Sequence, residues 1–328
     1  MAIEEHVLLA PFTTFRLGGP ARYFARAQNI QEIVQAFSFA KEKALKILIL
    51  GGGSNMLVGE TGFNGLVIKI ELKGMEREGN MIVADAGESW DALVVRAVSD
   101  GLWGLENLSG IPGTVGAAPI QNIGAYGAEV KDTLLWVEAY DRDTGEVIQL
   151  QNKECEFGYR TSRFKREPEH FVILRAAFSL KKQGTPNTSY KDLFGAAGLT
   201  LAEIRQKVLL VRAGKFPDLT KEGTAGSFFL NPVVSPKQAA ELSVLYPLMP
   251  QFSAEGGIKI PLAWLLDNAL QLKGLSVGGA RLFECQPLVI AVSSGANSRD
   301  VAALAQKVAE LVQNKLNISI EPEVRIIF

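Results

Sequence analysis

Two glycine-crowded stretches offer backbone rather than side chain to a ligand: Gly51-Gly52-Gly53-Ser54-Asn55, and GIPGTVGAAPIQNIGAYG from Gly110 to Gly127. Without a Cβ, amides can approach and encircle an anion, as they do around phosphates. Neither stretch is the dinucleotide fingerprint GxGxxG, because Met56 stands where the third glycine belongs, and there is no GxxxxGK loop ending in Ser or Thr. A nucleotide here needs a different cradle. Tight turns also use glycine, but the polar Ser54, Asn55, Thr114, Gln121 and Asn122 within these stretches suit a pyrophosphate and a polar heteroaromatic ring better than a bare turn requires.

Three further segments carry reactive groups. In FGYRTSRFK, Arg160, Arg163 and Lys165 alternate with Tyr159 and Phe164, a pattern that can neutralise a carboxylate or diphosphate and that also describes an exposed strand edge with solvated charges. In GTAGSFFLNP, Ser227 lies between glycines and the pair Phe228-Phe229. No histidine lies in this segment and GxSxG is absent, so a serine-hydrolase reading is poor; the serine reads as a proton donor in a preorganised site or as a turn serine capping local backbone. Finally, Glu321, Glu323 and Arg325 interrupt an apolar terminal run, either as buried charges that demand partners or as the outward face of an edge strand.

Other chemistries are excluded by what is missing. Lys and Arg total 34 against 35 Asp and Glu, so no global field draws the chain to nucleic acid or an anionic membrane, and an anionic ligand must be held locally. The only cysteines are Cys155 and Cys285 and the only histidines His6 and His170, which encode neither a disulfide framework nor a metal site. The N-terminus lacks a basic leader and no apolar run reaches about 18 residues, so the expectation is a soluble, cytoplasmic protein.

At 328 residues with 47% hydrophobic and 21% charged side chains, the chain suits two or three packed domains with room for a large site. Asn29 with Glu32 predicts a helix over about 30–44, leading to a strand at 47–50 that delivers the first glycine loop, then a strand at 66–70. A strand at 82–86 precedes a helix capped by Ser89 and stopped at Gly101. A hairpin joins 134–140 to 146–150, followed by a strand at 171–180. Thr200 with Glu203 opens a helix ending at Gly214, Ser235 opens another, and 299–316 carries one apolar stripe before terminal strands at 318–320 and 324–328.

The ordered series TFRLGGPA, LGGGSNMLV, NLSGIPGTVGAAPIQNIGAYG, FGYRTSRFK, GKFPD, GTAGSFFLNP, LLDNALQLKG and EPEVR resembles the UDP-N-acetylenolpyruvoylglucosamine reductase family essentially end to end. The resemblance implies an α+β protein: a two-domain FAD-binding fold of the vanillyl-alcohol oxidase type plus a third α+β substrate-binding domain. The boundaries it suggests are 1–69 joined by the terminal strand 319–328, then 70–210, then 211–318 for the UDP-sugar. TSYKDLF, with Tyr190, resembles the longer form of the family, in which a tyrosine loop covers substrate.

The activity implied is NADPH-dependent reduction of UDP-N-acetylglucosamine enolpyruvate to UDP-N-acetylmuramate through tightly, non-covalently bound FAD, in a monomer serving peptidoglycan synthesis. By the same resemblance Ser227 gives the proton, while Arg160 and Glu323 stabilise the charge developing on the substrate. Flavin contacts map to Gly51, Gly52, Gly53, Ser54, Asn55, Met56, Gly113, Thr114, Gly116, Ala117, Gln121, Asn122, Gly124, Ala125 and Tyr126, with Arg16, Arg212 and Arg325 as neighbours. Substrate contacts map to Tyr190, Lys215, Asn231, Lys259 and Gln271. Thr13 stands where the family commonly has asparagine, and Phe252 where longer-form relatives can have a tyrosine. Competing readings are a flavin oxidase of the same cofactor fold and a non-catalytic nucleotide-sugar or flavin-binding module.

Overall fold

The computed structural model describes residues 1–196 and 198–328, which gather into two compact units. The first comprises Met1–Val7, Ala21–Gly53 and Asn64–Arg212; the second comprises Leu8–Pro20, Ser54–Phe63 and Ala213–Phe328.

In the first unit a four-stranded sheet has the order Ile3–Leu8, Pro20–Ala27, Phe63–Ile70, Lys46–Leu50. The last two run parallel, as a crossover between them requires. The helix before Lys46 spans Ile30–Glu42, and its start is closed as the sequence predicts: Asn29 Oδ1 accepts from the Glu32 amide at 3.0 Å and the Glu32 carboxylate from the Gln28 amide at 2.7 Å. It stops short of 44 because Ala44 turns into the left-handed region, φ +50°, letting the Leu45 amide reach the Ala40 carbonyl at 2.8 Å.

The second sheet of this unit is antiparallel, in the order Val147–Gln151, Leu134–Asp141, Phe171–Ser179, Met81–Asp85, Met75–Glu78. The predicted hairpin is present, its turn tied by Asp141 Oδ1 accepting from the amides of Asp143 and Thr144. Both sheets share one core that includes Ile33, Leu66, Ile68, Ile82, Val137 and Phe178. At its centre is Trp90, fully buried, edge-on to Phe178 and donating its Nε1–H to the Leu108 carbonyl at 3.0 Å.

Trp90 begins the helix Trp90–Ser99, which ends with Gly101 at φ +69° as predicted. Its start differs from expectation. Ser89 occupies the capping position, but its hydroxyl makes no capping bond; the first amide of the helix, that of Trp90, donates instead to the Gly113 carbonyl at 3.1 Å. Farther along, Thr200 and Glu203 form the predicted reciprocal box at the head of Leu201–Ala213, with the Thr200 amide on the Glu203 carboxylate at 2.8 Å.

The second unit packs around the helix Ser298–Leu316, whose stripe Val301, Leu304, Val308, Val312 and Leu316 is buried. Two devices start it: the Asn297–Asp300 capping box, and the Glu60 carboxylate, which accepts from the Ser298 amide at 2.7 Å and hydroxyl at 2.5 Å. Against it lies the sheet Ser276–Val277, Ala280–Phe283, Gln286–Val292; a smaller sheet orders Val233–Val234, Gly257–Lys259, Phe252–Ala254. The helix Pro236–Leu245 starts where Ser235 Oγ accepts from the Gln238 amide.

The terminal strand Arg325–Ile327 returns to pair in parallel with Met56–Val58. The strand expected at 318–320 does not form. Burial of Ile318 and Ile320 at 2% and 9% exposure, rather than a ladder, holds that segment. Among the described residues no helix is long and apolar enough to cross a membrane.

Candidate active site

The candidate residues fall into two groups, one in each unit. In the first unit, the strand Lys46–Leu50 ends in Gly51, Gly52 and Gly53, and this turn lies against Gly113–Thr114. A Cβ on Gly52 would sit 2.7 Å from the Gly113 Cα, and one on Gly51 would sit 2.8 Å from Thr114 Oγ1. Gly53 has φ +61°. Gly52 is therefore required by backbone meeting backbone and Gly51 by the Thr114 hydroxyl beside it, while three successive residues without a Cβ leave amides open to the close approach that a pyrophosphate demands.

The second loop is fixed to its unit by backbone bonds. The Val115 amide donates to Glu88 and the Gly116 amide to Ala86, both at 2.9 Å, and a Cβ on Gly116 would fall 2.6 Å from the Ala86 Cβ. Thr114 is buried, while Gly113, Ala117 and Gln121 remain half-buried. Asn122 is fully buried in a left-handed conformation, φ +45°, and its side chain serves the loop itself. Its Nδ2 donates to Glu129 at 2.8 Å and to the Gly158 carbonyl at 3.1 Å, while Oδ1 accepts from the Lys131 amide.

Gly124 and Ala125 pair with Ala128–Glu129, and the Gly124 carbonyl accepts from Arg160 Nη2 at 2.8 Å. Arg160 also lies over the Tyr159 ring at 5.7 Å and has φ +54°, a strained backbone for a long side chain. FGYRTSRFK is thus not a strand edge: Gly158 to Thr161 form a turn, and Ser162 caps the short helix Arg163–Arg166 with its hydroxyl on the Ile120 carbonyl at 2.6 Å. Arg163 turns instead to Glu167 and the Phe171 ring.

Tyr126 and Arg212 close this group. Tyr126 is 7% exposed, hydrogen-bonded to Arg212, and edge-on to Tyr190 with ring centroids 5.5 Å apart. Burial pushes the Tyr126 phenol up to about 12, so it stays neutral at physiological pH. Burial also pulls Arg212 below its ordinary value, opposed by Tyr126 and Asp91. Arg212 Nε donates to the Gly110 carbonyl at 3.1 Å, while the Gly110 amide donates to Asp91 at 2.6 Å, so the loop's first glycine is gripped on both sides.

In the second unit, Ser227 is half-buried and bridges Val289, flanked by Gly226 at φ +78° and by Phe228 and Phe229, both buried in the core. The phenylalanines anchor the serine rather than face a ligand. The Glu323 amide donates to the Phe228 carbonyl at 2.8 Å and the Leu230 amide to the Glu321 carbonyl at 3.0 Å, so the Ser227 and Glu323 segments are antiparallel neighbours. Asn55 joins them: its Nδ2 donates to the Glu323 carbonyl at 3.2 Å and its carbonyl accepts from the Arg325 amide. Glu323 is half-buried, whereas Glu321 and Arg325 are exposed. Met56 is buried opposite Arg325, Ser54 is half-buried, and Arg16 is exposed and bonded to the Leu219 carbonyl.

Of the substrate candidates here, Lys259 lies on the middle strand of the small sheet, opposite both Val233 and Phe252. Asn231, just before that sheet, accepts from the Leu262 amide at 2.8 Å. Lys215 is half-buried after the helix Leu201–Ala213, and Gln271 is exposed with φ +54°. Two supporting residues escape a reading by motif. Asp91 reaches Arg205 with two bonds of 2.7 Å across 114 positions, and Asn107 donates to the Tyr126 carbonyl. Only long-range contact reveals either role, although Asn107 heads the NLSG motif.

Residues 21–151 match the family model of an FAD binding domain, and residues 218–327 match that of the UDP-N-acetylenolpyruvoylglucosamine reductase C-terminal domain. Glycine loops stripped of Cβ atoms, with a buried tyrosine–arginine pair beside them, suit such a nucleotide; fold and site define an FAD-dependent oxidoreductase with a dedicated C-terminal domain. The chain is 37% identical to UDP-N-acetylenolpyruvoylglucosamine reductase of Ralstonia nicotianae, over 98% of each chain. It is 39% identical to that of Escherichia coli, over 97% of this chain and 95% of the relative. A crystal structure of the Thermus caldophilus reductase aligns over 100% of both chains with a TM-score of 0.74 at 26% identity. The chain belongs to the UDP-N-acetylenolpyruvoylglucosamine reductase family.

Proposed function

We propose that the protein reduces UDP-N-acetylglucosamine enolpyruvate to UDP-N-acetylmuramate with NADPH, in the cytoplasm, as a monomeric step of peptidoglycan precursor synthesis. The observation that supports this most directly, beside the family, is the hydrogen-bonded neighbourhood of the Ser227 and Glu323 segments.

Tightly but non-covalently bound FAD supplies the hydride chemistry. The residues that would hold it are Gly51, Gly52, Gly53, Ser54, Asn55 and Met56 from the first loop, and Gly113, Thr114, Gly116, Ala117, Gln121, Gly124, Ala125 and Tyr126 from the second, with Arg212 and Arg325 as cationic neighbours; Asn122, fully buried and bonded within its own loop, would shape that loop rather than touch the cofactor. The reaction adds a hydride to the methylene carbon of the enolpyruvyl ether and a proton to the adjacent carbon. Negative charge grows on the carboxylate between these events, and Arg160 and Glu323 stabilise it. Ser227 Oγ delivers the proton; a hydroxyl is a weak acid, and a fixed approach to a strongly basic carbon makes it sufficient.

Lys215 takes the diphosphate, and Tyr190, Asn231, Lys259 and Gln271 hold the rest of the nucleotide sugar within the 211–318 domain and the Tyr190 loop, as in the longer form of the family. Phe252, 53% exposed and opposite Lys259, offers a stacking face without a hydroxyl. The test is product identification. Purified protein, NADPH and the enolpyruvyl nucleotide should give UDP-N-acetylmuramate by mass spectrometry in amounts matching the NADPH consumed; NADPH consumption without that product overturns the assignment.

A further inference from the structure

Asn107 is 2% exposed, and its Nδ2 spends both hydrogens on two distant carbonyls, Tyr126 at 2.8 Å and Asn187 at 2.9 Å. Its Oδ1 is buried without a hydrogen-bond partner among the described residues. Asn187 returns a bond, its Nδ2 donating to the Gly127 carbonyl at 2.8 Å, and its Oδ1 accepts from the Ser189 amide at 3.2 Å and hydroxyl at 2.7 Å. Where the two loops meet, Gly127 has φ +83°, and a Cβ there would fall 2.6 Å from Ser189 Oγ. The residue after Ser189 is Tyr190, which stands at 90° to the Tyr126 ring.

We propose that Asn107 is a positioning residue that clasps the 187–190 loop onto the glycine-rich loop at Tyr126–Gly127 and so sets where the Tyr190 ring stands. This rests on the reading of Tyr190 as a substrate group. The clasp needs two donors on one short side chain. Aspartate would set a carboxylate against two carbonyls, serine has one donor, and leucine has none. Leaving a buried acceptor unpaired is unfavourable, and that cost is tolerated here because the donors, not the acceptor, are what the loop contact uses.

The fold puts the clasp at a junction. Tyr126 is bonded to Arg212, which holds the Gly110 carbonyl, so Asn107 connects the substrate-side loop to the same framework that holds the glycine loop. Tyr190 itself need not be covalently near: Asn107 acts at a sequence distance of 80 residues through the Asn187 carbonyl.

The experiment uses the flavin-loaded protein and its Asn107→Asp variant, with Asn187→Ala as a second variant that removes the returning bond from an exposed position. Hydrogen exchange of the 187–190 amides should quicken about tenfold in both. The KM for the enolpyruvyl nucleotide should rise about tenfold with kcat changed less than about twofold, while flavin content and flavin reduction by NADPH stay as in the parent protein. Unchanged loop exchange in both variants overturns the clasp. Faster exchange with an unchanged KM overturns the positioning role and the substrate role of Tyr190, while product formation by the parent protein would still uphold the reductase assignment. Loss of flavin from both variants overturns the proposal in favour of a structural role at the cofactor loop.

Discussion

The backbone amide of Glu323 donates to the carbonyl of Phe228 across 2.8 Å, which sets the chain's penultimate segment beside the serine it is read to work with. Ninety-odd positions lie between them, yet the pairing is held from three directions. Phe228 and Phe229 are buried, Asn55 bonds the Glu323 carbonyl, and Arg325–Ile327 pairs with Met56–Val58. A weak acid is useful only where its approach is fixed, and this arrangement fixes backbone rather than relying on side-chain rotamers.

Ser227→Ala should lower kcat about a thousandfold while flavin reduction by NADPH keeps its parent rate. Rapid mixing of each half-reaction separates the two. Turnover at the parent rate in the variant removes Ser227 from the chemistry.

Glu323→Ala should cost about a hundredfold or more in kcat, and Glu323→Gln, which keeps an N–H donor, should cost less. Steady-state rates at saturating substrate read this directly. Equal losses in the two variants contradict donation by this side chain to the substrate carboxylate.

Gly52→Ala drives a Cβ to 2.7 Å from the Gly113 backbone, where no side-chain motion can relieve it. The expected result is a loss of about 1–3 kcal/mol in stability and protein isolated with substoichiometric flavin. The ratio of flavin to protein absorbance checks it; full flavin occupancy would mean that the loops do not need this contact.

Much of the framework was legible because its signals are local. The capping groups at Asn29, Thr200 and Ser235 act within one helical turn, so sequence spacing alone locates those helix starts. Ser89 marks a helix start without capping it, and the bond that does anchor that start, the Trp90 amide to the Gly113 carbonyl, comes from a residue remote in sequence. The run Ile318–Ile320 has the composition of a strand, but it forms no ladder among the described residues and is held by the burial of its two isoleucines. The glycine loops and Ser227 could be picked out by residue type; the need of Gly52 for Gly113, the occupation of Asn122 by its own loop, and the Asn107 clasp are long-range facts with no periodic or local trace.

The Asp91–Arg205 pair gives a pH prediction. Burial alone would raise the Asp91 carboxyl, but the Arg205 hydrogen bond, the Gly110 amide and the nearby Arg205 and Arg212 charges together hold it below its ordinary value. A depressed folded pKa stabilises above the unfolded value of about 4 and loses that contribution as pH falls through the folded value. Asp91→Asn should therefore cost about 1–3 kcal/mol near neutral pH, and the gap to the parent protein should shrink below about pH 4. Urea unfolding across that range measures it, and a pH-independent gap would assign the effect to packing.

The most direct test of the whole account is an anaerobic flavin titration. The purified protein should be yellow, bleach on adding NADPH, and regain its colour stoichiometrically when UDP-N-acetylglucosamine enolpyruvate is added. Protein that does not bleach, or bleached protein that ignores the enolpyruvyl nucleotide and recovers its colour only in air, would contradict it.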